Sequence, residues 1–289
     1  VKALPISAEG FLTLKENQDI DMDFSFAGQD MSIKSILSLV PGVYNDYLYG
    51  LKASGEVDLS GTVRGTFNEN SLPKIHAETH VKDGQLIYGD FPTPIENIQV
   101  SSAFDYPSAD LKDASLEIDQ FSLMLEGEKT EAKLKLYDFE NYHWDAFLES
   151  HLDLEKLTKI IHLEDGMILK GRINGTVNSK GSLAAIEAEK IDQLPTSGQL
   201  NMSGFYFESN AVTEPISISE AVANFNPQVV TLEKMKGKLG ESDFDAKGTI
   251  SDHLTYIFKP DGVLKGKLSF NAGSINLDEL MTSSAEEAT

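Results

Sequence analysis

The chain has no cysteine in 289 residues and a single tryptophan, Trp144. Without cysteine no disulfide and no thiolate metal site can form, and the compartment is left open by this count. Positive charge is scarce: 24 Lys and Arg against 46 Asp and Glu give a formal net charge of −22. Such a chain repels phosphate backbones and anionic headgroups, so nucleic acid is not an expected partner. No run approaches the roughly 18 apolar residues of a membrane-spanning helix, and no signal peptide is visible. A nucleophile elbow, a phosphate loop and a dinucleotide fingerprint are all missing. The chain begins at Val1 rather than at a methionine, which predicts a portion of a longer protein whose anchor or export signal lies elsewhere.

What the sequence does have is period-two alternation. Ile20, Met22, Phe24 and Phe26 alternate with Asp21, Asp23 and Ser25, which places four apolar side chains on one strand face. Val57 and Leu59, Leu116 and Ile118, Leu134 and Leu136, Ile173, Leu200 and Met202, and Leu268 and Phe270 follow the same rule. Leu123 and Leu125 fall on the opposite phase from Leu116 and Ile118, and the slip near Gln120-Phe121 predicts a bulge. Turn signals at Lys82-Asp-Gly84, Gly89-Asp90, Asn226-Pro227, Gly240-Glu-Ser-Asp243 and Asp261-Gly262 divide the chain into roughly twenty short strands. Glycines recur inside strands, at Gly55, Gly61, Gly65, Gly171, Gly175, Gly248 and Gly266, where they mark bends or close backbone approach. Short helices are expected over 32–40, 153–162 and 183–191, with a last one opening near Asn276.

The chain also repeats itself. Ile33-Lys-Ser-Ile36, Leu154-Glu-Lys-Leu157 and Leu277-Asp-Glu-Leu280 carry one apolar spacing, and Gly55-Glu-Val57 matches Gly171-Arg-Ile173. A repeated module builds an extended surface rather than a globule around one pocket. The expected division is the end of a preceding module at 1–41, modules at 42–163 and 164–281, and a polar, disordered tail at 282–289. The expected fold is mainly β: an elongated, curved antiparallel sheet of repeated modules with a few short helices. Its apolar face either forms the core of a sandwich or stays open as a groove.

The ordered series of motifs narrows this. It runs from Gly-x-Val/Ile strands to Asp83-Gly-Gln-Leu86 and Ser197-Gly-Gln-Leu200, Pro94 to Ile98, and Ser242 to Gly248, with a Leu-x-x-Leu helix closing each module. This series resembles the AsmA family of Gram-negative envelope proteins, particularly the Bacteroidetes-type members, over about 42–281. The resemblance implies a periplasmic, repeating β-groove protein, anchored in the inner membrane when full-length, that carries phospholipid along an apolar trough and supports outer-membrane biogenesis. The chain departs from that family by lacking an N-terminal membrane helix.

The expected function is therefore non-enzymatic shielding of acyl chains, with phospholipid as partner, envelope proteins as further partners, and no cofactor or metal. The candidate lining is Ile20, Met22, Phe24, Phe26, Val57, Leu59, Leu116, Ile118, Leu134, Leu136, Ile173, Leu200, Met202, Leu268 and Phe270. A scaffold that recruits proteins through its sheet edges is the alternative. His76, Glu78 and His80 share one strand face and offer two metal ligands at most, so a solvated face is the simpler reading. Asp19, Asp21 and Asp23 imitate the start of a calcium loop, but Phe24 occupies the position that needs glycine.

Overall fold

A computed structural model describes residues 5–37, 50–88, 93–108, 110–158, 163, 166–188, 190, 194–210, 212, 214–240, 242–258 and 262–273. Among these residues the fold is mainly β, antiparallel, with a few short helices, as the alternation predicts. The strands are β1 (Ile6–Leu14), β2 (Ile20–Ser32), β3 (Leu51–Phe67), β4 (Lys74–Tyr88), β5 (Ile95–Tyr106), β6 (Ser115–Leu125), β7 (Glu128–Tyr137), β8 (His143–Asp153), β9 (Ile168–Ser182), β10 (Thr196–Glu208), β11 (Ile216–Phe225), β12 (Val229–Leu239), β13 (Ser242–Ser251) and β14 (Lys265–Ala272). Hydrogen-bonded neighbours follow sequence order from β1 to β14. The chain divides into two compact units, Val1–Phe147 with Lys180–Glu187 and Leu148–Ser179 with Ala188–Thr289, and each is described by itself.

The described residues form fourteen strands rather than the expected twenty, because these strands run 8 to 17 residues and one turn signal lies inside a strand. Lys82-Asp83-Gly84 is not a turn. Asp83 has φ 49°, and the register with β3 shifts between Glu56↔Lys82 and Ser54↔Gln85, so the segment is a bulge within β4. The bulge predicted near Phe121 is present, between Ile118↔Leu134 and Phe121↔Ala132. It corrects the expectation that Leu123 and Leu125 face the other way: the extra residues restore the phase, and both return to the face of Ile118. Asn226 does open a tight turn, donating to the Val229 carbonyl (3.0 Å) while its side chain accepts from Gln228 and Val229 N–H.

Two glycines need their special backbone. Gly55 (φ 117°) and Gly171 (φ 114°) each face a bulge on the next strand. A Cβ on Gly55 would lie 2.7 Å from Gly84 Cα, and one on Gly171 would lie 2.6 Å from Phe205 Cα. The match between Gly55-Glu-Val57 and Gly171-Arg-Ile173 is thus the same local device built in each unit.

Short helices follow strands at Ile33–Leu37, Leu154–Leu157, Leu183–Glu187 and His253–Phe258. Three of them begin with a cap three residues before the bonded N–H. Ser32 accepts from Ser35, Asp153 from Lys156 and Ser182 from Ala185, each at 3.2 Å, which satisfies one of the free N–H groups at each helix start. The helices at 33, 154 and 183 are shorter than expected over their described residues. The remainder of those three segments lies wholly or partly outside the described residues. So do Leu277-Asp-Glu-Leu280, the Gly89-Asp90 turn, Asp261 and the 282–289 tail. The helix His253–Phe258 was not expected, although Leu254 and Ile257 carry the same apolar i, i+3 spacing.

Complete burial is rare. Met31 is 1% exposed and is the largest fully buried side chain, with Val57, Ile98, Tyr106 and Ala114 as other buried apolar positions of the first unit. Ile33 closes over this end: its Cδ1 would lie 3.3 Å from a Cβ on Gly84, and Ile98 Cβ 2.9 Å. Met31→Ala is expected to cost about 2–5 kcal/mol through the cavity it leaves. Leu268→Ala, at a 62% exposed position, should stay within about 0.5 kcal/mol. Urea denaturation of both variants checks the contrast, and equal costs would contradict this description of the core.

Candidate functional site

Directly opposed residues of an antiparallel pair point to the same face, so register decides whether the alternation of one strand meets that of the next. In the first unit it does so across seven strands. One row runs Ala8, Phe26, Gly61, Ala77, Phe104, Leu116, Leu136 and its neighbour runs Ile6, Gly28, Leu59, Thr79, Ser102, Ile118, Leu134. In the second unit one row runs Ile173, Met202, Ala221, Met235, Ala246, Phe270, and the next runs Gly175, Leu200, Ala223, Leu232, Gly248, Leu268.

Large side chains lie over glycines on this face. A Cβ on Gly61 would lie 2.6 Å from Phe26 Cζ, one on Gly198 2.5 Å from Phe225 Cζ, one on Gly237 2.8 Å from Phe244 Cζ, and one on Gly175 2.6 Å from Leu200 Cδ2. Each of these glycines is the direct cross-strand partner of the residue that covers it. A ring laid flat on a glycine covers backbone that would otherwise face water.

Eleven of the fifteen candidate lining residues lie in these rows, and Ile20, Met22, Phe24 and Val57 share the same face of β2 and β3 at other positions. Val57 is buried, beneath the end closed by Ile33. Ile20, Met22, Phe24, Phe26, Leu59, Leu116, Ile118, Leu134, Leu136, Ile173 and Met202 are half-buried, and Leu200, Leu268 and Phe270 are exposed. The face therefore remains in contact with solvent through most of its width. Phe104, Phe121, Phe225, Met235 and Phe244 share it and were not among the lining candidates. The alternation of Phe244, Ala246, Gly248 and Ile250 carried the signal that would have found β13. A concavity of about 760 Å³ in the second unit is lined by Phe205, Tyr206, Ile218, Lys236, Lys238, Asp243, Phe244 and Asp245 among others. None of the fifteen candidates lines it, and its charged residues belong to the polar rows. Whatever the apolar face does, it does as a broad open surface.

The opposite face pairs charges across strands. Asp23 meets Arg64 (3.3 Å), Glu117 meets Lys135 (3.5 Å) and Lys238 meets Asp243 (3.2 Å), each pair directly opposed in register. Asp21, from the calcium-like run, accepts from Lys15 (2.7 Å) and Thr66 (2.6 Å). The Lys15 ammonium and the Thr66 hydroxyl hold its carboxyl below the usual range. Asp58 is held low in the same way by Lys82 and by the Asp30 N–H. Exposed pairs of this kind contribute little to stability. They fix which face is wet.

His76 sits among these charges. Its Nδ1 lies 2.6 Å from Asp105 Oδ1 and its Nε2 3.6 Å from Glu78, and the hydrogen bond to Asp105 raises its pKa above 6.5. His253 is the opposite case. It is buried with no hydrogen-bond partner for either ring nitrogen among the described residues, and burial lowers its pKa below 6.5.

No protein-family model matches the chain, and no curated protein or solved structure matches it.

The two histidines titrate with opposite signs. The contribution of His76 is fully present below pH 6.5 and disappears as pH rises through its raised folded value. That of His253 is present above pH 6.5 and is lost as pH falls through its lowered value. Ring resonances followed by NMR should show His76 titrating above His253, and Asp105→Asn should bring His76 down while leaving His253 where it was.

Proposed function

We propose that the chain is a non-enzymatic, AsmA-like module that shields phospholipid acyl chains along its apolar sheet face. In this reading it works in the periplasm as part of a protein anchored in the inner membrane, and it supports lipid transport and outer-membrane biogenesis. The observation that carries the reading is the in-register apolar rows, which run across consecutive strands of each unit and stay half-exposed. An apolar surface of this breadth calls for an occupant. An acyl chain suits it because it needs no polar recognition. Each buried methylene is worth about 0.8 kcal/mol, so about a dozen offer roughly 10 kcal/mol before the cost of ordering. Headgroups would remain in water at the margin, where a chain of net charge −22 gives anionic headgroups no attraction. None of the described helices is long and apolar enough to cross a membrane, so anchoring in this reading belongs to other parts of the protein.

The test is lipid uptake by the purified chain. After delipidation it should take up fluorescent phospholipid and protect the acyl fluorophore from an aqueous quencher. Ile118→Asp with Leu134→Asp, which places two carboxylates side by side on a row of the apolar face, should lower uptake at least about tenfold, since each charge must be desolvated under the bound chain. A wild-type chain that neither carries lipid from cells nor takes it up would overturn the reading.

A further inference from the structure

The apolar face of the first unit carries one polar interruption away from the strand ends. Thr79 of β4 and Ser102 of β5 stand directly opposed on it. Leu59 continues their row on one side and Ile118 on the other. Along the strands the next pair is Val81 and Val100 in one direction, and Ala77 and Phe104 in the other. Apart from Tyr88 and Tyr106 at strand ends, every other paired residue of this face on β1 to β6 is apolar or glycine. Thr79 and Ser102 are half-buried, and neither hydroxyl bonds to another described residue. The second unit supplies the contrast. There Ser179 and Thr196 are opposed on the apolar face, and their hydroxyls bond to each other at 3.1 Å. That pair is satisfied within the protein.

Solvent serves half-exposed hydroxyls of this kind. An acyl chain laid over the floor displaces that solvent, and a plain methylene segment offers no hydrogen bond in return, so both hydroxyls lose their partners. A chain that carries its own hydroxyl at this point restores the bonds, since a hydroxyl donates once and accepts twice. We propose that Thr79 and Ser102 form a polar subsite that selects an acyl chain bearing a hydroxyl group along its length. The proposal rests on the acyl-chain reading above and names the kind of chain. The neighbours of the pair fix where on the ligand the hydroxyl lies. Apolar residues continue beyond it along the row and along the strands, so carbon must continue beyond the hydroxyl in both directions. A headgroup seated here would lie on Val81, Val100, Ala77 and Phe104 rather than in water. At a half-exposed pair the hydrogen bonds gained amount to a preference of about tenfold.

The test is a ratio measured on the full 289-residue chain. Delipidated protein is loaded with phospholipid carrying an acyl fluorophore, and the concentration that displaces half of it is measured for stearate and for 12-hydroxystearate. In Thr79→Val with Ser102→Ala, which removes both hydroxyls from an apolar surrounding, the ratio should shift about tenfold against the hydroxylated acid. Ser102→Ala alone should shift it in the same direction by less. Thr79→Ser keeps the hydroxyl and should keep the wild-type ratio. Monostearoylglycerol, whose hydroxyls sit at one end, should show no such shift relative to stearate. An unchanged 12-hydroxystearate ratio in the double variant would overturn the proposal. So would a shift confined to monostearoylglycerol, which would put headgroups on the pair. A wild type that takes up no phospholipid and binds neither acid ends the acyl-chain reading and this subsite with it, whereas uptake with an unchanged ratio removes the subsite alone.

Discussion

In an antiparallel sheet the backbone pairing leaves no freedom about faces: opposed residues share a side, and a strand one residue out of phase turns its apolar set into water. Everything else in this protein depends on holding that phase over strands as long as the 17 residues of β3. The bulges are how it is held. At Asp83-Gly84, at Gln120 and at Gly204 the chain inserts residues, and the alternation resumes on the original side. Gly55 and Gly171 are the matching half of the device, since only a residue without Cβ can sit against the inserted backbone.

Phase-keeping produces the two contrasting faces. On one, carboxylates meet Lys, Arg and His76 across strands and the surface is solvated. On the other, rows of Phe, Leu, Ile, Val and Met alternate with glycine and alanine. Pairing a large residue with a glycine lays the ring against the neighbouring backbone instead of raising it above the sheet. The result is a low apolar floor; in the first unit Met31, Val57 and Ile98 are buried at the end where Ile33 closes over Gly84, and Tyr106 and Ala114 are buried at the other. A floor of that kind offers area rather than a shaped pocket, which supports the proposed acyl-chain reading over one of selective small-molecule recognition.

Much of this was legible in the residues. Alternation at Ile20 to Phe26 gave the strand and its wet side, and the caps Ser32 and Asp153 marked where two of the helices begin. The interruption near Phe121 announced a bulge. Other signals were ambiguous because local chemistry serves two structures. Lys82-Asp83-Gly84 reads as a turn, since Asp and Gly tolerate positive φ, and a bulge uses the same tolerance. Leu123 and Leu125 were misassigned to the opposite face because counting by twos cannot tell how many residues a bulge absorbs. The helix at His253 went unread because a single apolar i, i+3 pair, Leu254 and Ile257, is a weak signal for a helix of six residues.

By itself the sequence determined the strand type, the wet and apolar sides of single strands and the acidic outer surface, because each follows from residues two or four apart along the chain. Only the tertiary structure decided which residue of β2 lies opposite Gly61, which glycines carry rings, and that the apolar rows stay uncovered through most of their width. Those outcomes depend on contacts between residues dozens of positions apart, where register is set by bulges and by the fit of a ring over a glycine, and neither can be read from one strand alone.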